Sequence, residues 1–390
     1  GISFFKNHSF KTFQERDGLV NNKVYTMTVD QKERLLIGTR WGLSIYDDGK
    51  FSNYDHTELA ARKIRTIHES TTEAAIWLGT LDGGLIKKKK DRFTTLTKED
   101  GLSNNTIRDI EQDEDGTLWI ATFGGVNRYS NGKFQTLGVE EGLPNNGVND
   151  IEIDSEGTLW FATYSGLVRY DGKKMTIYNT ENGMIDDVCY FIKEEKKGIY
   201  WIGTNKGLTR FDSQVLEKQV ARIDTSQAFQ TITDNQGLIS NELNTQAVLI
   251  DGNRLWAGTV GGLSRLDLDN IFTTNYSPQV HITGIRQFDR DINPYRNRPI
   301  ELENNQNYLS FSFVGLDYRA PDQVLYEYRL KGANNKWQRT TSNEVQFSAL
   351  PPNDYTFEVR ARNFDNMWST DTGRVSFTIL APFWQQWWFY

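Results

Sequence analysis

Apolar and polar residues alternate in short runs along the first two-thirds of the chain, and Asp, Asn and Gly interrupt each run. Val148–Ile153 alternates and stops at the turn Asp154-Ser155-Glu156-Gly157, after which Leu159–Thr163 begins. Gly166–Tyr170 and, beyond Asp171-Gly172, Met175–Tyr178 complete a set of four. Each run has strand length and ends at turn residues, so the pattern predicts four consecutive antiparallel strands. The set repeats. Copies of Leu118-Trp119-Ile120-Ala121-Thr122 stand at 76–80, 159–163, 200–204 and 255–259, and Leu35-Leu36-Ile37-Gly38-Thr39 is a copy without tryptophan. The closing threonines at 39, 80, 122, 163, 204 and 259 are 41, 42, 41, 41 and 55 residues apart.

Four strands in a unit of roughly 40 residues define a propeller blade, a sheet that hides its faces only against the next sheet around a ring. The expectation is therefore an all-β chain whose residues 1–276 form a β-propeller of six recognisable blades plus a half blade, seven-bladed in the parent protein. The half blade is the start, where Gly1-Ile2-Ser3-Phe4-Phe5 aligns with Gly42-Leu43-Ser44-Ile45-Tyr46, the second half of a unit. On that alignment the sequence is a piece cut from a longer chain in mid-repeat. The glycine or alanine before each threonine implies a close approach of neighbouring backbones. A loop such as Asp100-Gly101-Leu102-Ser103-Asn104-Asn105 leads into five of the blades, and blade two lacks it. With four antiparallel strands, these loops and the tips that follow each threonine share one end of the ring. The long last step holds an insertion around 216–223, read as a short helix or an outer strand.

From about Tyr276 the repeat gives way to stronger alternation, as in Leu309-Ser310-Phe311-Ser312-Phe313 and Tyr355-Thr356-Phe357-Glu358-Val359. Residues 277–380 read as an immunoglobulin-like or fibronectin-III-like β-sandwich, with Leu350-Pro351-Pro352-Asn353-Asp354-Tyr355 as a tyrosine corner. Residues 381–390 hold six aromatics in the last eight positions, a density that suits a membrane boundary. A membrane helix beyond Tyr390 explains them; a final strand packed on the propeller is the alternative.

The net charge of −7 gives no pull toward nucleic acid, and Cys189, the only cysteine, excludes an intrachain disulfide. No cofactor or metal site is expected. His8, His56, His68 and His281 are scattered, and the calcium-like turn Asp113-Glu114-Asp115-Gly116 lacks the closing glutamate of an EF-hand. No catalytic motif is expected either. The acidic pairs Glu140-Glu141 and Asp186-Asp187 fit turn formation better than acid–base work, and Lys87-Lys88-Lys89-Lys90 reads as a solvated edge.

The units Asn-Asn-x-Val, Asp-x-x-Gly-x-Leu-Trp-Ile-Gly-Thr and Gly-Leu-x-Arg-Tyr-Asp resemble the two-component regulator propeller repeat. Tyr326, Tyr328 and Tyr355, with Arg360-Ala361-Arg362-Asn363 and Met367-Trp368-Ser369, resemble the triple-tyrosine domain that follows such propellers. The closing Pro382-Phe383-Trp384 and Trp387-Trp388-Phe389-Tyr390 resemble the join to the membrane helix in bacterial hybrid two-component sensors. The resemblance implies a periplasmic sensor region, part of an inner-membrane histidine kinase, that binds an oligosaccharide or other glycan and works as a homodimer. Sugars stack on aromatic rings and hydrogen-bond to Asn, Lys and Arg, so Arg40, Trp41, Phe123, Tyr164, Asn205 and Lys206 at the blade tips are the candidate ligand-binding residues. Packing of those aromatics between blades is the competing reading. A propeller lyase or hydrolase, and a protein-interaction scaffold, stay open as alternative functions.

Overall fold

The computed structural model describes the chain except residues 8, 55, 60, 61, 218–227, 271–275, 289, 296–298, 319, 364–366, 383 and 385–390. It divides into two compact units, Gly1–Leu266 and Asp267–Tyr390. In the first, five sheets carry four strands each in simple up-and-down order, beginning with Val24, Ile64, Ile107, Val148 and Cys189. They are blades one to five. Blade six has three strands, Leu243–Asp251, Arg254–Thr259 and Gly262–Asp267, and the half blade is the hairpin Ile2–Lys6 with Ser9–Phe13. Phe4 and Phe13 of that hairpin lie on Tyr46 and Phe51 of blade one.

The repeated tryptophan is the bolt between blades. Trp77 packs with Ile107, Ile110 and Ile120 of blade three, Trp119 with Phe161 and Val168 of blade four, and Trp160 with Tyr200 and Phe211 of blade five. Trp201 is wholly buried. Burying such a ring removes about 200 Å² of apolar surface, worth roughly 5 kcal/mol before entropy is counted. Its indole N–H still needs an acceptor, and in blades three to five an acid six residues before the tryptophan supplies one. Asp113 accepts from Trp119 Nε1 at 2.9 Å, Asp154 from Trp160 Nε1 at 2.8 Å and Glu195 from Trp201 Nε1 at 2.9 Å. Asp113 also takes the Thr117 N–H, so the calcium-like turn is a hairpin. Blade two has Ser70 where the others have the acid, and the Trp77 Nε1 is buried without a partner. There the Lys87 ammonium sits 4.7 Å from the indole centroid instead, while Glu73 pairs with Lys87 and Lys89.

One expectation is corrected. The small residue before each threonine is crowded chiefly by side chains rather than by backbone. A Cβ on Gly203 would lie 2.3 Å from the Phe191 ring opposite it, whereas Ala121 and Ala162 face Asp109 and Asp150. Part of the hydrogen-bonding capacity of the lead-in asparagines is taken up inside the loops. Their side chains accept from their own loop: Asn22 from Glu15 N–H, Asn105 from Lys98, Asn146 from Val139 and Asn241 from Asp234. Asp187 does the same for Thr180, and Glu141 for Gly138, which makes both acidic pairs turn-formers. The tips do share that end with the loops, since Arg40 N–H reaches Lys23 O and Tyr164 N–H reaches Gly147 O.

The long step contains a one-turn helix, Ser213–Glu217, and then the fourth strand Phe229–Ile232. The rest of the expected insertion lies outside the described residues. So do His8 and most of the aromatic end segment, in which Trp384 is exposed. No helix among the described residues is long and apolar enough to cross a membrane.

The second unit is a sandwich. One sheet orders Arg290–Ile292, Gln279–Gln287, Leu309–Leu316 and Glu344–Phe347; the other orders Ile300–Leu302, Gly373–Ile379, Asn353–Arg362, Leu325–Lys331 and Asn334–Thr340. Phe311, Phe313, Phe357 and Phe377 fill the space between them. The Tyr355 hydroxyl donates to Pro351 O at 2.7 Å, which is the tyrosine corner. On the outer face Arg329, Trp337, Arg360 and Trp368 stack alternately at 4.4, 4.6 and 4.6 Å, and Glu358 and Glu327 hold the guanidinium edges.

Asp154 is a sharp test of the tryptophan bolt, because it also accepts from the Tyr200 hydroxyl at 2.8 Å. Asp154→Ala leaves two buried donors unpaired and is expected to cost about 2–4 kcal/mol in denaturant unfolding, more than Asp113→Ala, which orphans one indole. Equal losses would show that the turn, not the indole bond, carries the stability.

Candidate functional site

The first strand of each blade lines the ring axis, and in blades one to five a bulge between its first and third residues interrupts the alternation, so that Arg65 and Arg108 face inward together with Thr66, His68, Asp109 and Glu111. The second positions of these strands are Tyr25, Arg65, Arg108, Asn149 and Tyr190, near the loop-and-tip end. Arg65 reaches across the ring, giving one Nη to Tyr25 O and the other to Thr245 O of blade six, each at 3.2 Å. Arg108 donates to Asn149 Oδ1 at 3.0 Å and to Thr245 Oγ1 at 3.2 Å. Asn149 passes its own N–H on to Cys189 O. These bonds tie blades two and three to blade six.

Above this layer stand the blade tips. Phe123 covers the Arg108 guanidinium at 5.3 Å, and its ring is 6.2 Å from that of Tyr164. Both rings are exposed, at 42% and 36%. Asn205 Oδ1 accepts from the Tyr190 hydroxyl at 2.6 Å. The fold thus gathers Phe123, Tyr164 and Asn205 around Arg108 and Tyr190. It does not add Arg40 and Trp41, which form their own cation–π pair at 5.1 Å on blade one. Lys206 is exposed, and its backbone N–H is held by Thr204 Oγ1.

Arg65, Arg108, Tyr190 and Thr245 are the site residues that sequence reading passes over. A signal was present: the second position of every first strand is polar, though it belongs to a strand with an apolar face.

Deeper along the axis, toward the hairpin-turn end, lies a cavity of about 550 Å³ lined by Thr66, His68, Glu111, Asp150, Glu152 and Lys193 among others. None of the six candidate residues lines it. Asp109 and Asp150 are buried there, each accepting a backbone N–H from the next blade, Ile151 at 3.0 Å and Ile192 at 2.9 Å. Burial and then the neighbouring Asp109 push the Asp150 carboxyl well above its ordinary range, and the same two causes push Glu111 up to about 8. Burial also raises Glu152, against the pull of Lys193 at 2.8 Å. Burial pushes the His68 imidazole below its ordinary range.

Residues 317–380 match the Y_Y_Y domain, and residues 101–124 and 142–165 match the two component regulator propeller. The chain carries two-component regulator propeller repeats and a Y_Y_Y domain. Over 171 residues it is 27% identical to histidine kinase P4 of Formosa agariphila, a match covering 40% of this chain and 12% of the kinase. The extracellular domain of BT3049 from B. thetaiotaomicron, described as a hybrid two component system, superposes with a TM-score of 0.78 at 27% identity, over 98% of this chain and 53% of that one. The extracellular domain of BT4673 from the same organism shares the fold, with a TM-score of 0.55 at 18% identity over 97% and 54%. The chain thus spans 12% of the length of the curated kinase and about half that of the two solved extracellular domains.

The propeller's channel carboxyls make stability depend on pH. Glu111 keeps its proton in the folded propeller up to about 8, while the unfolded chain loses it near 4.5. Its contribution is therefore complete below about pH 4.5 and is lost as pH rises toward about 8. His68 acts in the opposite sense, because its neutral form is favoured on folding. The difference between Glu111→Gln and the native chain isolates the carboxyl: the variant should match the native chain near pH 4.5 and gain about 1–3 kcal/mol over it near pH 8 in urea unfolding. A gap that stays constant across that window would place the proton elsewhere.

Proposed function

We propose that this chain is the periplasmic sensor region of an inner-membrane hybrid histidine kinase, in which the propeller binds an oligosaccharide and the Y_Y_Y sandwich relays binding toward a membrane helix beyond Tyr390. One observation carries the ligand assignment: two exposed aromatic rings, Phe123 and Tyr164, stand together over Arg108 beside the Asn205–Tyr190 pair at one mouth of the ring. Sugar rings offer apolar C–H faces to such a platform and hydroxyls to the amide and phenol at its edge. The likeness to the extracellular domain of BT3049 supports the sensor role and the side of the membrane. A homodimer suits the reading, since binding at the mouth needs two alternative arrangements to bias an output.

Titration calorimetry with a panel of oligosaccharides tests it. Phe123→Ala and Tyr164→Ala should each weaken the best ligand by about tenfold or more, as expected for aromatic anchors. Trp41→Ala, remote from the platform, should change affinity by less than about threefold. Absence of binding by every saccharide, or full affinity in both platform variants, overturns the assignment. Sedimentation velocity with and without ligand checks the dimer.

A further inference from the structure

The mouth that holds the aromatic platform is built on two guanidinium groups, and its hydrogen bonding leaves both incomplete. The Nε atoms of Arg65 and Arg108 are buried without a partner, and Arg65 is only 9% exposed. The partners these arginines do have are neutral: the carbonyls of Tyr25 and Thr245, the amide of Asn149 and the hydroxyl of Thr245. Among the described residues no carboxylate is hydrogen-bonded to either side chain. Two cations in one recess without a bound counter-charge are an unusual arrangement, because burial removes the water that would otherwise solvate them.

We propose that the ligand of this mouth carries an anionic substituent, a carboxylate or a sulfate ester on a saccharide, which docks on the Arg108 guanidinium while the sugar ring lies on Phe123 and Tyr164. The inference rests on the saccharide reading above and narrows it to acidic glycans. Arg108 is the contact residue, since the exposed Phe123 ring of the platform lies against its guanidinium and Tyr164 and Tyr190 stand near it. Arg65 is fixed across the ring and contributes charge. An oxyanion matches the planar fork of a guanidinium better than a hydroxyl does.

The surrounding charges agree. Burial, and then the charge of Arg108, pushes the Arg65 guanidinium down to about 10, and burial lowers Arg108 too, yet both stay cationic at neutral pH. One layer deeper, Asp150 and Glu111 hold their protons above the ordinary carboxyl range, so they neutralise the arginines less than their number suggests. Asp109 remains as the nearby acid, and it is occupied by Ile151 N–H and Thr66. Asp186 and Glu242 stand on the Tyr190 side of the mouth and bound the recess there.

The test compares pairs of oligosaccharides that differ only in charge: oligogalacturonate against its carboxyl-reduced form, and sulfated carrageenan oligosaccharides against their desulfated forms. Inorganic sulfate serves as the saccharide-free probe. With the 390-residue chain, at least one acidic member should bind about tenfold or more tighter than its neutral partner, and added salt should shrink the difference. Which pair responds separates carboxylate from sulfate ester. Arg108→Gln should abolish the preference. Because Arg108 also braces Thr245, a second variant guards against loss of fold: Asn205→Asp keeps an acceptor for the Tyr190 hydroxyl and adds a negative charge at the mouth. It should weaken the acidic ligand about tenfold and leave a neutral one within about twofold. Neutral members binding as tightly as acidic ones, or a preference that survives both substitutions, overturns the proposal and leaves the saccharide reading intact. Binding of sulfate through Arg108 with no saccharide bound upholds the anion site and overturns the saccharide reading. Binding of neither overturns both.

Discussion

A blade of four strands has two faces and nothing within itself to cover either, so every stable feature of the propeller follows from how one sheet reaches the next. Apolar rings do most of this, with Trp119 and Trp160 lying on the following blade. Near the axis, where there is no room for rings, polar groups take over. Asp109 and Asp150 each accept a backbone N–H of the next blade's first strand, and Arg65 and Arg108 span the ring to Thr245. The axis is thereby packed with ionisable side chains that are short of water, and burial there raises the Asp150, Glu111 and Glu152 carboxyls above their ordinary range.

That constraint explains the asymmetry between the two ends of the ring. Toward the hairpin turns the inward residues are Glu111, Glu152, Lys193 and His68 around an open cavity. Toward the lead-in loops they are arginine, tyrosine and asparagine beneath exposed aromatics. A ligand that stacks on Phe123 meets cationic groups, and one that enters from the other end meets carboxyls. The two ends of one channel are chemically different because a bulge near the start of each first strand turns the second residue toward the loops' end and lets the third and fifth line the channel below it.

Several repeat-level features were legible in advance because each is local. The hairpin turns, the tyrosine corner and the tip-and-loop end follow from turn chemistry and strand alternation, and the structure reproduces them. The departure in blade two emerged only with the structure: Ser70 stands where its neighbours have an acid, and Trp77 consequently lacks an acceptor. The lead-in asparagines show the limit of such reading. Seven residues separate each acceptor oxygen from the N–H it takes, so the loop's own closure occupies it. The small residue before each threonine was attributed to backbone approach, whereas the side chain opposite, Phe191 or Thr66, decides whether glycine or alanine fits.

The candidate site divides in the same way. Phe123, Tyr164 and Asn205 could be named from the sequence because a tip position is fixed by its place in the repeat. That Arg40 and Trp41 stand apart, and that Arg108 lies beneath Phe123, depend on where five separate strands converge. Arg65 and Thr245 are 180 residues apart in the chain and hydrogen-bonded in the ring. The sequence by itself determined the period, the strands and the face each residue takes, since these follow from alternation and turns over a few residues. The tertiary structure alone decided which polar groups meet at the axis, because ring closure, and not any local preference, sets those distances.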